Sequence, residues 1–388
     1  MKVLVTGAAG GIGLAALLMS SRSLWPAILG VMFASGLAAD LISGRSCGAS
    51  FGFMTANVVE SYASAWVITK LCGQRITFNR VNEIVALIGA AVVINADTAF
   101  IGAGTAMLTA GKPFWTFYKN WWIADGLGIL IVTPLIIHWS ERLPRWSETS
   151  LKRKVEFVGL VLLAGTGAWL VFGINQTHLP IVPHPYMLCV IMLWVALRFG
   201  PRATTTALAL MGVIAISATA FGHGSFPLGG HNNTDRLLMM QTFIGIVSVV
   251  GLLLAASQAQ RGLTEDLLRR SEALLRSVGD NLPSSMIYQV MRETDGTMKF
   301  LHLSGSVEQL NGFPVEAVLK NPALIYDQIV AEDRPLVLAA RETSMRTMSV
   351  FKVTIRMRHA DGSLRWMQFC SVPRSLGDGR IVWDGIET

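Results

Sequence analysis

The feature that most constrains this chain is a succession of apolar runs, each long enough to cross a bilayer, that stops near residue 257. A helix spans the hydrocarbon core with about 20 mostly apolar residues. Nine segments meet that measure, near 3–20, 24–43, 51–72, 81–107, 115–138, 155–175, 185–200, 203–222 and 237–257. The seventh and eighth are parted only by the corner R-F-G-P-R at 198–202. Of the 388 residues 15% are charged, against about 25% in soluble globular proteins. From Gln258 onward the composition is that of ordinary soluble sequence, rich in Arg, Glu and Asp. The expected architecture is therefore a polytopic all-α membrane bundle of about eight to nine transmembrane helices over 1–257. A linker helix follows over 258–280, and an α+β domain over 281–388.

Loop charges orient the bundle, because short cytoplasmic loops carry an excess of Lys and Arg. The loop after the fifth segment holds Arg142, Arg145, Lys152, Arg153 and Lys154 and reads as cytoplasmic. Alternation puts Lys70, Arg75, Arg80, Arg198 and Arg202 on the same side, and the loops 176–184 and 223–235, which lack Lys and Arg, outside. The ninth segment then delivers the C-terminal part to the cytoplasm, with Arg261 immediately beyond. Nine spans would leave Met1 and Lys2 outside beside a marginal first helix, so an upstream segment is expected. The net charge of +7 belongs largely to these loops and calls for no nucleic acid. The four cysteines, Cys47, Cys72, Cys189 and Cys370, show no C-x-x-C spacing and imply neither a disulfide framework nor a zinc site.

The N-terminus reads M-K-V-L-V and then T-G-A-A-G-G-I-G over 6–13, which imitates the Gly-rich turn of a dinucleotide-binding dehydrogenase. A short-chain dehydrogenase also needs Tyr-x-x-x-Lys, in which the Lys lowers the Tyr pKa for proton transfer. Four residues after Tyr62, Tyr118, Tyr186, Tyr288 and Tyr326 stand Trp66, Trp122, Val190, Arg292 and Val330. No such pair exists, and residues 14–138 are one apolar helix after another rather than alternating strands and helices. The glycines read instead as a small-residue surface for close helix packing. A transporter would also explain many helices with acids at mid-depth, but no internal repeat is apparent.

Acidic groups in hydrocarbon are costly and usually face a bundle interior or a water-filled cavity. Asn57 and Glu60 lie at i, i+3 on one face of the third segment. Asn95 and Asp97 fall in the fourth segment and Asp125 in the fifth. Asn57, Glu60, Asp97, Trp122 and Asp125 form the candidate intramembrane signal site; helix-to-helix hydrogen bonding is the alternative role. Four of the seven histidines (His178, His184, His223 and His231) fall in the loops read as external. Their spacings, H-x5-H and H-x7-H, are not those of helical metal ligands.

The stretches L-W-P-A-I-L-G-V-M-F-A-S-G-L-A-A-D-L (24–41), N-V-V-E-S (57–61) and W-W-I-A-D-G-L-G-I-L-I-V-T-P-L (121–135) resemble the membrane-associated sensor (MASE-type) domain of bacterial signalling proteins. The resemblance covers roughly 8–257 and implies an integral-membrane input domain, attached in that family to histidine kinases or cyclic-dinucleotide enzymes. Asn57, Glu60, Trp122, Asp125, Gly126, Gly128 and Pro134 match its motifs; Asp40 stands where the family often has Asn.

Residues 258–280 read as a helix leaving the membrane, with Leu268, Ser271, Leu275 and Val278 recurring at 3, 4 and 3 and Leu267 and Leu274 beside them. This short heptad pattern predicts a homodimer. Beyond Asn281 the period falls to 2. S-M-I-Y-Q-V-M-R-E and M-K-F-L-H-L-S read as a hairpin across T-D-G-T, short helices follow, and F-K-V-T-I-R-M-R, L-R-W-M-Q-F-C-S-V-P and R-I-V-W-D-G-I supply three more strands. Phe351, Val353, Ile355 and Met357 share one face of the first of these. N-L-P (281–283), V-E-Q-L-N-G-F (307–313), A-E-D-R (331–334), R-M-R-H-A-D-G-S-L-R-W (356–366) and V-W-D-G-I (382–386) resemble a PAS domain ending in a PAC motif. Its signature positions here are Asn281, Glu332, Asp333, Asp361, Gly362, Trp366 and Trp383. PAS domains sense small molecules or dimerise, some with haem or flavin. No reactive Cys stands in the helix where flavin-binding members carry one, and His302 lies on a strand, so no cofactor is expected.

No phospho-acceptor His motif, ATP lid or G-G-D-E-F signature occurs, and the triplet E-A-L stands only at 272–274 inside the linker helix, which is no phosphodiesterase signature. Catalytic, cofactor-binding and metal residues are all expected to be none. The whole reads as the sensing and transmitting part of a bacterial inner-membrane protein with a cytoplasmic C-terminus. The parent is expected to be a sensor histidine kinase, with a diguanylate cyclase or phosphodiesterase as the alternative. Its partners would be the lipid bilayer, a second copy, an unknown small-molecule signal and, through an output domain, a response regulator.

Overall fold

The computed structural model describes residues 2–140, 150–173, 184–220 and 233–388. Arg142, Arg145, His178, His223 and His231 lie outside the described residues. The chain divides into two compact units, Met1–Thr264 and Glu265–Thr388.

The first unit is all helix. α1 (Lys2–Met19), α2 (Trp25–Ile42) and α3 (Cys47–Cys72) come first. α4 (Val81–Gly89) then runs through a π turn (Ala90–Ile94) into α5 (Asn95–Ala110), making one rod. α6 (Phe114–Ser140) precedes α7 (Leu151–Ala168), which ends in a second π turn (Trp169–Gly173). α8 (Met187–Phe199), α9 (Pro201–Ala220) and α10 (Asn233–Asp280) complete the set. The boundaries follow local chemistry. Ser46 caps α3 by accepting from the Ala49 amide at 3.4 Å, and Gly111, at φ 60°, ends α5 in the left-handed conformation that glycine adopts without penalty.

The apolar segments of the sequence coincide with these rods. Among the described residues six helices are long and apolar enough to cross a membrane, within 22–42, 81–110, 114–140, 154–173, 201–218 and 237–280. α8 and the apolar stretch Ala8–Met19 of α1 are shorter. α3 has 26 residues but is not among the six, because its buried face is polar, with Ser50, Asn57, Glu60, Ser61, Ser64 and Thr69. This protein is a multi-pass membrane protein, and α3 is the helix on which it departs most from a plain apolar span.

The stretch that imitates a phosphate cradle is the middle of α1, packed along α6. A Cβ on Gly11 would stand 2.5 Å from the Gly128 carbonyl oxygen and 2.9 Å from Val132 Cβ. The Thr133 hydroxyl donates to the Gly11 carbonyl at 3.1 Å. A Cβ on Gly10 would lie 3.0 Å from Glu60 Oε2, and one on Gly13 3.0 Å from Ser61 Oγ. These glycines let two backbones touch, the small-residue packing that substitutes in lipid for a hydrophobic driving force.

The bundle's ends are distinguishable. At one, the Arg22 guanidinium donates to Thr69 Oγ1 at 3.2 Å, and the Val81 amide donates to Gln260 Oε1 at 3.2 Å. Between them the 73–80 loop tucks inward, with Phe78 fully buried at φ 55°, a left-handed conformation uncommon for a bulky residue. At the other end stand Arg45 and Lys112, on the α2–α3 and α5–α6 connections.

The second unit holds a five-stranded antiparallel sheet in the order β2-β1-β5-β4-β3, built from β1 (Met286–Arg292), β2 (Met298–Leu303), β3 (Phe351–Arg358), β4 (Leu364–Ser375) and β5 (Ile381–Glu387). α11 (Val307–Leu310), α12 (Val315–Lys320), α13 (Ala323–Tyr326) and α14 (Arg334–Thr347) lie between the second and third strands. The β1–β2 turn pivots on Gly296 at φ 90°, and the β3–β4 turn on Gly362 at φ 88°. Phe351, Val353, Ile355 and Met357 are buried on one face of β3 as the alternation demands, and with Met286, Tyr288 and Trp383 they form the core.

Replacing Gly11 by Val is expected to cost on the order of 1–3 kcal/mol through overpacking against the Gly128 backbone. Gly30→Val, whose Cβ would meet nothing within 4 Å, serves as the neutral control. Thermal unfolding of the two variants in detergent compares them; equal midpoints would refute the close α1–α6 contact.

Candidate intramembrane signal site

The side chains of α3 that recur every three to four residues turn to one face: Asn57, Glu60, Ser61 and Ser64 are all buried. α6 meets that region with Asp125, 2% exposed, and α5 with Asn95, fully buried. Asp125 lies close enough to Glu60 for its charge to act on the Glu60 carboxyl group. Among the described residues neither Glu60 oxygen has a hydrogen-bond partner, nor do Asp125 Oδ2, Asn57 Oδ1, Asn95 Oδ1, Ser61 Oγ and Ser64 Oγ. Among the described residues no ion pair involves either acid. Most buried polar atoms in proteins are hydrogen-bonded, so each exception calls for an explanation, whether strain, chemistry, or a bound water or ion.

The W-W-x-x-D-G-x-G stretch builds the walls. The Trp122 indole donates to the Val92 carbonyl at 2.9 Å, a carbonyl in the π turn. Such single-turn widenings often occur at functional sites. The Asn95 amide donates to the Trp122 carbonyl at 2.6 Å and to the Ala91 carbonyl at 3.2 Å. Gly126 permits this approach, since a Cβ there would lie 2.9 Å from the Ala91 oxygen and 3.0 Å from Asn95 Nδ2. Gly128 is the position against which Gly11 packs. Each residue of the motif thus has a separate mechanical task.

Beside the acids a cavity of about 510 Å³ opens towards the Arg45–Lys112 end. Phe53, Phe117 and Trp121 line it, with ring centroids 5.2–5.9 Å apart. Asp125 and Asn120 contribute its buried polar lining, and Arg45 and Lys112 also border it. Arg45 is held by Asp40 at 2.9 and 3.0 Å.

Of the five side chains expected from sequence, Glu60 and Asp125 lie near each other, Asn57 is buried on the same helix as Glu60, and Trp122, half-buried, bonds to the π turn. Asp97 is not among these. It is exposed on α5, because two residues along a helix is about 200° of rotation, and Asn95 takes the inward position instead. The aromatic lining and Asn120 escaped sequence reasoning, since Phe53, Phe117 and Trp121 are indistinguishable there from ordinary apolar filling. His184 stacks on Tyr186, with centroids 5.1 Å apart. Among the described residues no group of three His, Cys, Asp or Glu is placed to hold a metal.

In the second unit the signature residues do structural work. Asp333 accepts from the Arg356 amide at 2.8 Å and its guanidinium at 2.7 and 3.1 Å. These bonds hold its carboxyl down at about 2. Glu332 is exposed. Asp361 accepts from the Ser363 amide at 2.7 Å in the turn made by Gly362, and the bonds from Ser363 depress its carboxyl strongly. Trp366 is 68% exposed under the Arg356 guanidinium, 6.0 Å from its ring centroid. Trp383 is buried and its indole donates to Ser344 Oγ at 3.0 Å. Asn281 closes the end of α10, its amide donating to the Ser277 carbonyl at 2.8 Å. Next to it, Asp280 Oδ1 accepts from the Gly305 amide at 2.6 Å, and Ser306 Oγ donates to the Asp280 carbonyl at 3.1 Å. The end of α10 is thereby fastened to the segment following β2.

A further polar group in this unit was not foreseen. Glu387 is fully buried at the end of β5, on the same inward parity as Trp383. It accepts from Asn311 Nδ2 at 3.2 Å, while Gln328 Nε2 donates to the Asn311 carbonyl at 2.7 Å. Burial pushes the Glu387 carboxyl from 4.5 up to about 7. The strand parity was the available signal.

The MASE1 family matches residues 8–261, and the PAS fold matches residues 300–386. No curated protein matches this chain. A solved structure of an RNA-binding light-oxygen-voltage receptor is similar at 10% identity and a TM-score of 0.23. The alignment covers 61% of this chain and 61% of that one, so the chain spans less than two thirds of that structure's length.

A carboxyl group whose pKa is raised by folding contributes stability at low pH and loses it as pH rises through the folded value. The second unit is therefore expected to lose on the order of 3 kcal/mol between about pH 4.5 and just above pH 7 through Glu387. In Glu387→Gln that part of the slope disappears. Thermal unfolding of both chains across this window measures the difference; identical pH profiles would refute it.

Proposed function

This chain belongs to the MASE1 family, and from that premise we propose that it is the input region of a bacterial two-component sensor histidine kinase. That a MASE1 domain and a PAS fold share one chain makes it a membrane sensor input module of signalling proteins. The observation that carries the reading further is a continuous helix. α10 runs from Asn233 to Asp280 without a break, from the bundle that holds the unpartnered acids to the Asp280 fastening. A change in charge or occupancy at Glu60 and Asp125 would shift helix packing, and α10 is the element able to carry that shift onward. Helix shifts and rotations of this kind are established means of coupling.

The orientation we propose places the Arg22, Lys70, Arg75 and Arg80 end of the bundle in the cytoplasm and the Arg45–Lys112 end outside the inner membrane, following the loop charges. The Val81–Gln260 hydrogen bond supports this reading, because it puts the basic 73–80 loop beside the exit of α10. We also propose a homodimer through α10. Leu267, Leu268, Leu274, Leu275 and Val278 are 53–71% exposed, and their heptad spacing is self-complementary in a parallel pair. No signalling cofactor is proposed for the PAS fold, and a response regulator would be the partner of the kinase's output.

In the full-length parent, Asp125→Asn is expected to change phosphoryl transfer at unchanged abundance in the membrane. Normal signalling by this variant would remove Asp125 from the input site. A parent that makes or degrades a cyclic dinucleotide, rather than transferring phosphate, would replace the kinase reading with the cyclase one. For the linker, Leu275→Cys in a background with the native cysteines replaced by Ser is expected to cross-link into dimers. A membrane-impermeant bismaleimide would do so in inside-out vesicles and not in intact cells. Reaction in intact cells would overturn the orientation, and monomers in both preparations the dimer.

A further inference from the structure

The cavity beside the paired acids carries more chemical information than the acids alone. Asp125, on a side chain 2% exposed, and Asn120 border the cavity, and among the described residues Asp125 Oδ2 and Asn120 Oδ1, both buried, have no hydrogen-bond partner. A ligand must therefore bring N–H or O–H donors to that end. A bare anion would meet Asp125 with like charge, and a hydrocarbon chain would leave both acceptors unsatisfied.

The walls point the same way. Phe53, Phe117 and Trp121 surround the space, and aromatic faces attract ammonium groups, most strongly where water is excluded. The mouth has opposite character. Arg45 is already neutralised by Asp40, whereas Lys112, the other cation bordering the cavity, has no ion pair among the described residues. An acid at the floor and a free cation at the rim make a dipolar container, and its volume of about 510 Å³ lies within the usual range for small-molecule sites.

We propose that this cavity binds a small zwitterion of the amino-acid class, its ammonium against Asp125 and Asn120 between the aromatic walls and its carboxylate against Lys112. The proposal names the ligand class of the input site and rests on the sensor reading above. In the orientation proposed there, the mouth opens outside the membrane, where such molecules arrive as nutrients.

The full chain in lipid nanodiscs, titrated with each standard L-amino acid at millimolar concentration, tests this by shift of the unfolding temperature. At least one amino acid is expected to raise the midpoint. The amine derived from it by decarboxylation binds about ten-fold more weakly, and the acid derived by removing its amino group does not bind. Asp125→Asn loses at least about ten-fold in affinity for the amino acid, and Lys112→Ala weakens the amino acid without affecting the amine. Phe117→Leu, which retains both polar ends, weakens both ammonium ligands and guards against an Asp125 variant that fails to fold. The proposal is overturned if no amino acid shifts the midpoint, if the deaminated acid binds as well as its parent, or if Asp125→Asn binds normally. Binding without any change in output of the full-length parent would leave the pocket standing and sink the sensor reading. Altered output from Asp125→Asn with no binding would do the reverse.

Discussion

Hydrocarbon offers no hydrogen bonds, so every polar atom inside a membrane bundle must find a partner there or remain as a cost. The arrangement of the first unit follows from how that constraint is met in some places and not in others. Around the π turn several carbonyls are served by side chains: Trp122 serves the Val92 carbonyl, Asn95 serves the Ala91 and Trp122 carbonyls, and Thr133 serves Gly11 on α1. These bonds cross between helices, and they require the close backbone approaches that Gly11, Gly126 and Gly128 allow. Immediately beside this bonded frame lie Glu60, Asp125 and Asn57 with orphaned oxygens. Among the described residues the bundle thus secures one region by bonds between helices and leaves several polar oxygens beside it without a partner.

How much of this could be read in advance depended on which physical signal each residue sends. The spans were legible because hydrocarbon thickness fixes the length of an apolar run, and the rods follow the apolar runs closely. The five strands were legible from period-2 alternation such as Phe351, Val353, Ile355 and Met357, but not their order in the sheet. Glu60 and Asn57 were legible because acids and amides stand out against apolar neighbours. Asp97 stood out equally and misled, since composition says that a polar group is present but not which way it faces. That depends on helix phase after the π turn, where five residues take the place of four and shift the register. The aromatic lining was illegible for the opposite reason, its residues being of the kind that fills any bundle. The nucleotide-like T-G-A-A-G-G-I-G misleads for a related reason: glycine reports only that something approaches closely, and here it is the Gly128 backbone instead of a phosphate.

The second unit repeats the same logic in water. Its exposed acids, Asp333 and Asp361, are held ionised by Arg356 and by backbone and hydroxyl donors, and they fix the β3 edge and the β3–β4 turn. Its buried acid, Glu387, has one amide donor and a carboxyl raised to about 7. The two kinds of acid answer different demands. An exposed, well-bonded carboxylate keeps its charge across the physiological range and behaves as a fixed fitting. A buried one depends on the few donors that reach it, and for Glu387, on the central strand of the sheet, that donor is Asn311, itself bonded to Gln328.

Both ends of this molecule therefore place a buried carboxylate next to a packed, well-bonded frame, and the two frames are built from opposite materials. In the bundle, close backbone contact through glycine supplies rigidity, because no hydrophobic gradient drives helices together in lipid. In the sheet, burial of Met286, Tyr288, Ile355 and Trp383 supplies it. α10 meets each frame on that frame's own terms. Met240, Ile244, Leu252 and Ala256 are buried in the bundle, whereas Asp280 takes hold by hydrogen bonds to Gly305 and Ser306. A charge-assisted bond to a backbone amide is strict about distance and angle, so the Asp280 end of the helix is held to the segment following β2 in one geometry.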